Sequence, residues 1–169
     1  VSQMLANINW KIESQNKFRL DWNNTTLSTP DFSLTSNGTY KQAESNLICN
    51  IAVKKVNLAD VYKYLPLTTD KELIDDLHKN VTGEISNAQI TINGNPTKIP
   101  FATGNGKLNI QAKLNNVSYL YAYGWPKVTN LSGDVTESNQ KIKFVTTNAT
   151  INNLHIKTGS VSIDNITAK

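Results

Sequence analysis

Apolar and polar residues alternate one by one along most of this chain, which predicts β-strands with one apolar and one solvated face. In the first such segment, Asn9 and Lys11 separate Ile8, Trp10 and Ile12. The same pattern recurs to the end of the chain and predicts roughly nine or ten short strands. The candidates for one apolar face are Ile8, Trp10, Ile12, Phe18, Leu20, Leu47, Ile51, Ile90, Ile92, Leu108, Ile110, Leu114, Ile142 and Phe144.

Turn signals separate the predicted strands. They include Asn37-Gly38, the run from Asn93 to Pro96, and Gly104-Asn105-Gly106. Strict alternation with short turns is typical of antiparallel sheets, in which one face is covered and the other faces water. We therefore predict a mainly β fold built of antiparallel strands.

The alternation stops between residues 57 and 79, where apolar residues take helical spacing. Leu58, Val61 and Leu65 follow an i, i+3, i+7 series, and residues 69–72 have the form of a capping box. We predict one or two short helices here, covering an end or edge of the sheet. The chain is then one β-rich unit over 1–169, with strands in 1–56, short helices in 57–80 and strands in 81–169.

Amino-acid composition narrows the classes of fold and of partner that this chain can have. Asn and Thr make up about a quarter of the chain, which favours strands and turns over helices. The net charge of +4 comes from scattered lysines and a single arginine, Arg19. A nucleic-acid interface normally clusters its charge and uses arginine, so we expect no nucleic-acid partner.

Side chains suited to catalysis or metal binding are scattered. Cys49 is the one cysteine, and His78 and His155 belong to no metal-binding spacing. Asp75 and Asp76 are adjacent, and neighbours at i and i+1 on a helix point in different directions. No nucleophile elbow or phosphate-binding loop occurs. We therefore predict no enzymatic activity, no metal site and no cofactor.

Three short motifs follow one another in a specific order. They are Tyr64-Leu65-Pro66, then Ile99-Pro100-Phe101 before Gly104-x-Gly106, then Tyr121-x-x-Gly124-Trp125-Pro126. In order and spacing, this set resembles the central region of the YhdP/AsmA-like family of lipid-transport proteins in the Gram-negative envelope. The flanking strands resemble that family in character only, and the high Asn, Lys and Thr content departs from typical members.

The resemblance implies a function. Proteins of this family have an N-terminal inner-membrane anchor and a long periplasmic β-structure. Its extended antiparallel sheet is curled into an open groove with an apolar lining, which carries phospholipids toward the outer membrane. This chain would be an internal periplasmic segment without the anchor, and the fourteen apolar candidates would line the groove and shield acyl chains. The motif residues Tyr64, Leu65, Pro66, Pro100, Phe101, Gly124, Trp125 and Pro126 would form packed structural corners. Exposed strand edges would allow self-association.

Alternation alone is equally compatible with a second fold. A β-sandwich of adhesin type, binding polysaccharide or protein, would hide its apolar faces between two closed sheets. The groove instead predicts a concave apolar face that is partly exposed. On the groove interpretation, an aspartate at Leu108 or Ile110 is expected to block transport without unfolding the sheet.

Overall fold

Ten strands in a computed structural model form a single antiparallel sheet, and the structure describes residues 2–64, 71–101, 104–120 and 123–165. The strands are β1 (Gln3–Ile12), β2 (Phe18–Ser28), β3 (Phe32–Lys41), β4 (Asn46–Asn57), β5 (Val81–Gly94), β6 (Gly106–Tyr119), β7 (Val128–Ser138), β8 (Lys141–Ile151), β9 (Leu154–Ile156) and β10 (Gly159–Ile163). One α-helix, α1 (Lys71–Asn80), and three 3-10 turns (Ser14–Asn16, Val61–Tyr64 and Pro96–Lys98) accompany them.

Strands β1 to β8 each pair with the next strand along the chain, and β8 then pairs with both β9 and β10. Among the described residues, β1 and β10 do not pair, so the sheet remains open rather than closing into a barrel. The predicted mainly β, antiparallel fold with short helices is confirmed. The two closed sheets that the sandwich alternative requires are not found in the described part of the chain.

The register places most apolar side chains of the strands on one face of the sheet, whereas Leu5, Ile48 and Val145 lie on the other. Residues directly opposite each other in an antiparallel pair share a face. Ile51 lies opposite Ile90, which lies opposite Ile110, and this relation continues strand by strand in both directions. We call this side the apolar face and the other, which carries Asn, Gln, Thr and Lys, the polar face. All fourteen apolar candidates lie on the apolar face.

Asparagine residues at β-bulges bend the strands. Asn24, Asn87, Asn116 and Asn130 have φ between 48° and 53° and lie where the register of β2, β5, β6 and β7 shifts. A bulge adds a residue to one strand, bends it and increases its twist. Asparagine adopts this left-handed backbone more readily than most residues, so the abundance of Asn suits a curled sheet.

The floor of the curled sheet consists of small side chains. Val53, Ala88 and Ala112 are buried at its centre, on three neighbouring strands. Larger apolar residues on β3 to β7 pack around them, namely Leu34, Ile51, Val56, Ile85 and Val135. The centre of the apolar face is therefore buried by side chains of the same sheet, without a second sheet among the described residues.

The segment between β4 and β5 packs at one end of the strands. Tyr64, which ends a 3-10 turn, meets Phe32 of β3 edge to face with ring centroids 4.6 Å apart. The Tyr64 hydroxyl also donates a 2.8 Å hydrogen bond to Asp31. Tyr62 stacks near His78 of α1 at 4.2 Å. The predicted position of the short helices, at an end of the sheet, agrees with these contacts.

Candidate binding face

The apolar face is the candidate functional site, and its side chains differ in exposure from one part of the sheet to another. On β1, Ile8, Trp10 and Ile12 are exposed, and Trp10 is 69% accessible. In the centre, Leu108 is buried to 6%. The remaining candidates, which are half-buried, are Phe18, Leu20, Leu47, Ile51, Ile90, Ile92, Ile110, Leu114, Ile142 and Phe144.

A cavity of about 330 Å³ opens on the apolar face where β8 divides between β9 and β10. Its lining includes Val128, Leu131, Phe144, Ile151, Ile156 and Val161, and none of its lining residues is charged. The volume lies at the lower end of the range of small-molecule sites. We call this cavity the fork pocket.

The floor of the fork pocket contains one buried polar side chain, Thr146. Its hydroxyl oxygen lies 2.9 Å from the backbone oxygens of both Ser132 and Asn148, so the hydroxyl proton is used within the sheet. Buried polar groups that are already hydrogen-bonded do not require a polar ligand. The fork pocket is therefore suited to an apolar ligand.

At the opposite end of the strands, the side chain of Phe101 covers the apolar face. Phe101 is fully buried above Gly94 and Gly106, which lie opposite each other in β5 and β6. A Cβ atom would come within 2.8 Å of the Phe101 ring at Gly94 and within 2.6 Å at Gly106, so the ring fits because both residues are glycine. We call this arrangement the Phe101 plug.

Two side chains of the β7–β8 turn hold the segment that carries Phe101. Gln140 donates from Nε2 to the backbone oxygen of Pro100 at 3.3 Å, and Asn139 donates from Nδ2 to that of Gly106 at 3.1 Å. The β7–β8 turn therefore holds the chain at Pro100, just before Phe101, and at Gly106, just after it.

Among the strand residues that the structure describes, one carboxylate, Glu137, lies on the apolar face. Its direct neighbours in the sheet are Ile110 of β6 and Ile142 of β8. Burial raises the pKa of Glu137 above the ordinary glutamate value, and a hydrogen bond from the Gln140 backbone partly opposes that shift. None of the described residues forms an ion pair with it. Our sequence analysis missed this residue, although its i, i+2 spacing from Val135 was a usable signal.

The polar face carries its own hydrogen-bond network. The guanidinium of Arg19 donates to Asp21 at 2.8–3.0 Å, and the Thr39 hydroxyl donates to the same carboxylate at 2.6 Å. These two donors, Arg19 first, hold the pKa of Asp21 below its ordinary value. The polar side chains on this face thus interact with one another at the surface.

The predicted structural corners behave differently from one another. Tyr64, Pro100 and Phe101 make the contacts described above, whereas Leu65 and Pro66 lie outside the described residues. Gly124 has a φ of +83° in the connection between β6 and β7. We expected Trp125 to be packed, but it is 63% exposed there, and Pro126 is exposed beside it.

The described ranges contain no group of three His, Cys, Asp or Glu side chains that could hold a metal ion. Their one α-helix is too short and too polar to cross a membrane.

Comparison with known proteins identifies related sequences. The family model described as "YhdP protein" matches residues 1–169. The chain is 26% identical over 112 residues to the "Intermembrane phospholipid transporter YhdP" of Escherichia coli (strain K12). That match covers 65% of this chain and 8% of the relative, so the matched region is a small part of a much longer protein. No solved structure matches the chain.

Proposed function

Since this chain belongs to the YhdP family, we propose that its apolar face shields the acyl chains of phospholipids as they pass through the periplasm between the inner and outer membranes. The chain acts as one segment of a longer path, which a part of the protein outside this chain anchors in the inner membrane. Its relative in E. coli is named an intermembrane phospholipid transporter, which supports this role.

The observation that carries the proposal is the fork pocket, a cavity of about 330 Å³ on an open apolar face with no charged residue in its lining. An acyl chain needs contact with apolar surface and no polar partner. Each methylene transferred from water to such a surface contributes about 0.8 kcal/mol, so several together hold a tail without a specific pocket for each atom.

The proposed role involves no chemical step. Lipid moves by exchanging one apolar contact for another along the face, and the head group remains toward water. The catalytic side chains of an enzyme would have to converge on one site. On the apolar face, the described side chains are hydrocarbon apart from a few hydroxyls, the sulfur atoms of Met4 and Cys49, the Trp and Tyr rings and Glu137, which supports a non-enzymatic role.

Val161 and Ser162 provide a matched pair for testing the proposal. They are adjacent exposed residues of β10: Val161 lies opposite Phe144 and lines the fork pocket, whereas Ser162 lies opposite Lys143 on the polar face. Leu108, our earlier choice, is a poorer site because it is only 6% exposed, and a buried aspartate would test folding instead of binding. Val161 is 61% exposed, so Val161→Asp leaves the core intact.

The experiment is native mass spectrometry with lipid extraction on this chain and on the two variants. We expect phospholipid to co-purify with the wild type and with Ser162→Asp, and to be reduced at least about fivefold in Val161→Asp, because a carboxylate in the pocket loses hydration when a tail binds. Matching circular dichroism spectra serve as the folding control. A wild-type chain that takes up no phospholipid, even from vesicles, would overturn the proposal.

A further inference from the structure

Glu137 combines three features that occur together nowhere else among the described residues: a carboxylate, a place on the apolar face and the absence of a cationic partner. We propose that it binds the primary ammonium of a phospholipid head group, so that this segment prefers ethanolamine lipids to anionic ones. The inference rests on the proposed function, because it needs a lipid tail on the same face.

The position of Glu137 suits a head group. It is the second-last residue of β7, next to the turn into β8, so it lies at the rim where the strands end. Ile110 and Ile142 flank it on the neighbouring strands. Its one identified hydrogen-bond donor is the backbone of Gln140, which leaves acceptor capacity on the carboxylate.

From Glu137, an apolar path leads along β7 toward the fork pocket. Val135, Gly133 and Leu131 follow it on the same face, and Leu131 lines the pocket. At ~3.3 Å per residue, the path from Glu137 to Leu131 is about 20 Å long. A carboxylate at one end and a cavity at the other match an amphiphile with a cationic group on its head.

The basic residues nearest in sequence and register do not neutralise Glu137. Lys141 lies opposite Ser138 and Lys143 lies opposite Thr136, both on the polar face. Lys107 at the start of β6 lies opposite Asn93, also on the polar face. A cation that approaches from the apolar side is therefore the missing partner.

An ethanolamine head group supplies that partner. Its ammonium donates charge-assisted hydrogen bonds to a carboxylate, and such bonds are stronger in a partly desolvated site than in water. A glycerol head group offers no cation, so the negative charge of its phosphate is repelled by Glu137. In an ethanolamine lipid, the ammonium compensates for the same phosphate charge. The same chemistry could come from a soluble amine, but the apolar path favours a lipid.

A competition experiment tests the preference. The chain is incubated with vesicles containing equal amounts of phosphatidylethanolamine and phosphatidylglycerol with identical acyl chains, then re-isolated, and the bound head groups are quantified. We expect wild type to enrich phosphatidylethanolamine about fivefold or more. In Glu137→Gln the bound ratio should fall to that of the vesicles while the total bound lipid is retained.

Asp134→Asn is the matched control. It removes the same charge three residues away on β7, from an exposed position on the polar face opposite Lys113. This variant should keep the wild-type ratio. Added glycerophosphoethanolamine, the same head without tails, should not displace the lipid; displacement would identify a site for soluble amines and overturn the lipid assignment.

The remaining outcomes separate the two proposals. If wild type and Glu137→Gln bind lipid in the same head-group ratio, the role of Glu137 is wrong and the lipid-shielding face stands. If Asp134→Asn changes the ratio as much as Glu137→Gln does, the preference comes from net charge and the assignment to Glu137 is again overturned. If no variant binds lipid, both proposals fail.

Discussion

The Phe101 plug and the fork pocket have the same kind of floor and differ in what lies above it. Under the plug, Gly94 lies opposite Gly106. Under the fork pocket, Thr146 lies between Gly133 and Gly159. At the plug both glycines face the Phe101 ring, and at the fork pocket Gly159 lines the cavity. The phenylalanine ring fills the space in the first place, whereas no described side chain fills it in the second, where about 330 Å³ remains open.

A filled and an unfilled place on the same surface are suited to different roles: the filled one to stabilising the fold and the unfilled one to binding a ligand. A fully buried ring contributes to folding because its contacts are already made within the protein. An unfilled apolar cavity contributes less to folding and remains available for a ligand. On this interpretation, the plug stabilises one end of the sheet, and the pocket gives an acyl chain a place at the other.

The largest expected effect comes from removing the plug. Phe101→Ala should lower the free energy of unfolding by about 3–5 kcal/mol, because it leaves a cavity where a fully buried ring was. Urea unfolding monitored by circular dichroism measures this loss. The folded molecules of this variant should bind about as much lipid at the fork pocket as wild type does.

Phe144→Ala is the paired variant in the open region. Phe144 is half-buried in the fork pocket, so we expect a smaller loss of about 1–2 kcal/mol together with reduced lipid uptake. If Phe101→Ala and Phe144→Ala lost the same stability, the proposed difference between a filled and an open region would be wrong.

A second, intermediate effect tests the curvature that both regions share. Asn87 has a φ of +52° at the bulge in β5. Asn87→Ala should cost about 1 kcal/mol, since alanine disfavours the left-handed region, whereas Asn87→Gly should cost less. Thermal unfolding of the two variants checks the order, and a more stable alanine variant would contradict the role of this bulge.

The smallest expected effect concerns Glu137, which lies on the apolar face at the end of β7. Since its folded pKa is raised, ionisation of Glu137 disfavours the folded state, and stability is lost as the pH rises through that pKa. Glu137→Gln should therefore be slightly more stable than wild type at neutral pH, within about 0.5 kcal/mol. The difference should vanish below the ordinary pKa range of glutamate. Chemical unfolding at several pH values measures it, and an advantage that grows at low pH would have the wrong sign.

The alternation pattern predicted which residues share a face, and it did so for all fourteen candidates. Side-chain direction alternates along any extended strand, so the assignment needs no knowledge of distant contacts. The break at residues 57–79 and the abundance of asparagine are also local signals. The break predicted the short helices. Asparagine occupies the bulges that bend the sheet.

The exposure of each side chain, and whether another side chain fills the space above it, depend on residues far apart in the sequence. Trp10 and Leu108 belong to the same alternating pattern, yet one is 69% exposed on the edge strand and the other is buried at the centre. Phe101 is buried because its ring lies over two glycines that face each other in β5 and β6, whereas Trp125, in the connection between β6 and β7, is 63% exposed.

By itself, therefore, the sequence determined the strands, the common apolar face and the resemblance to a lipid-transport family, because each of these depends on local spacing. The tertiary structure decided three features. The sheet stays open, the Phe101 ring fills the space above Gly94 and Gly106 while the fork pocket remains unfilled, and Glu137 has apolar neighbours. These features depend on register and curvature, which arise only when all the strands pair.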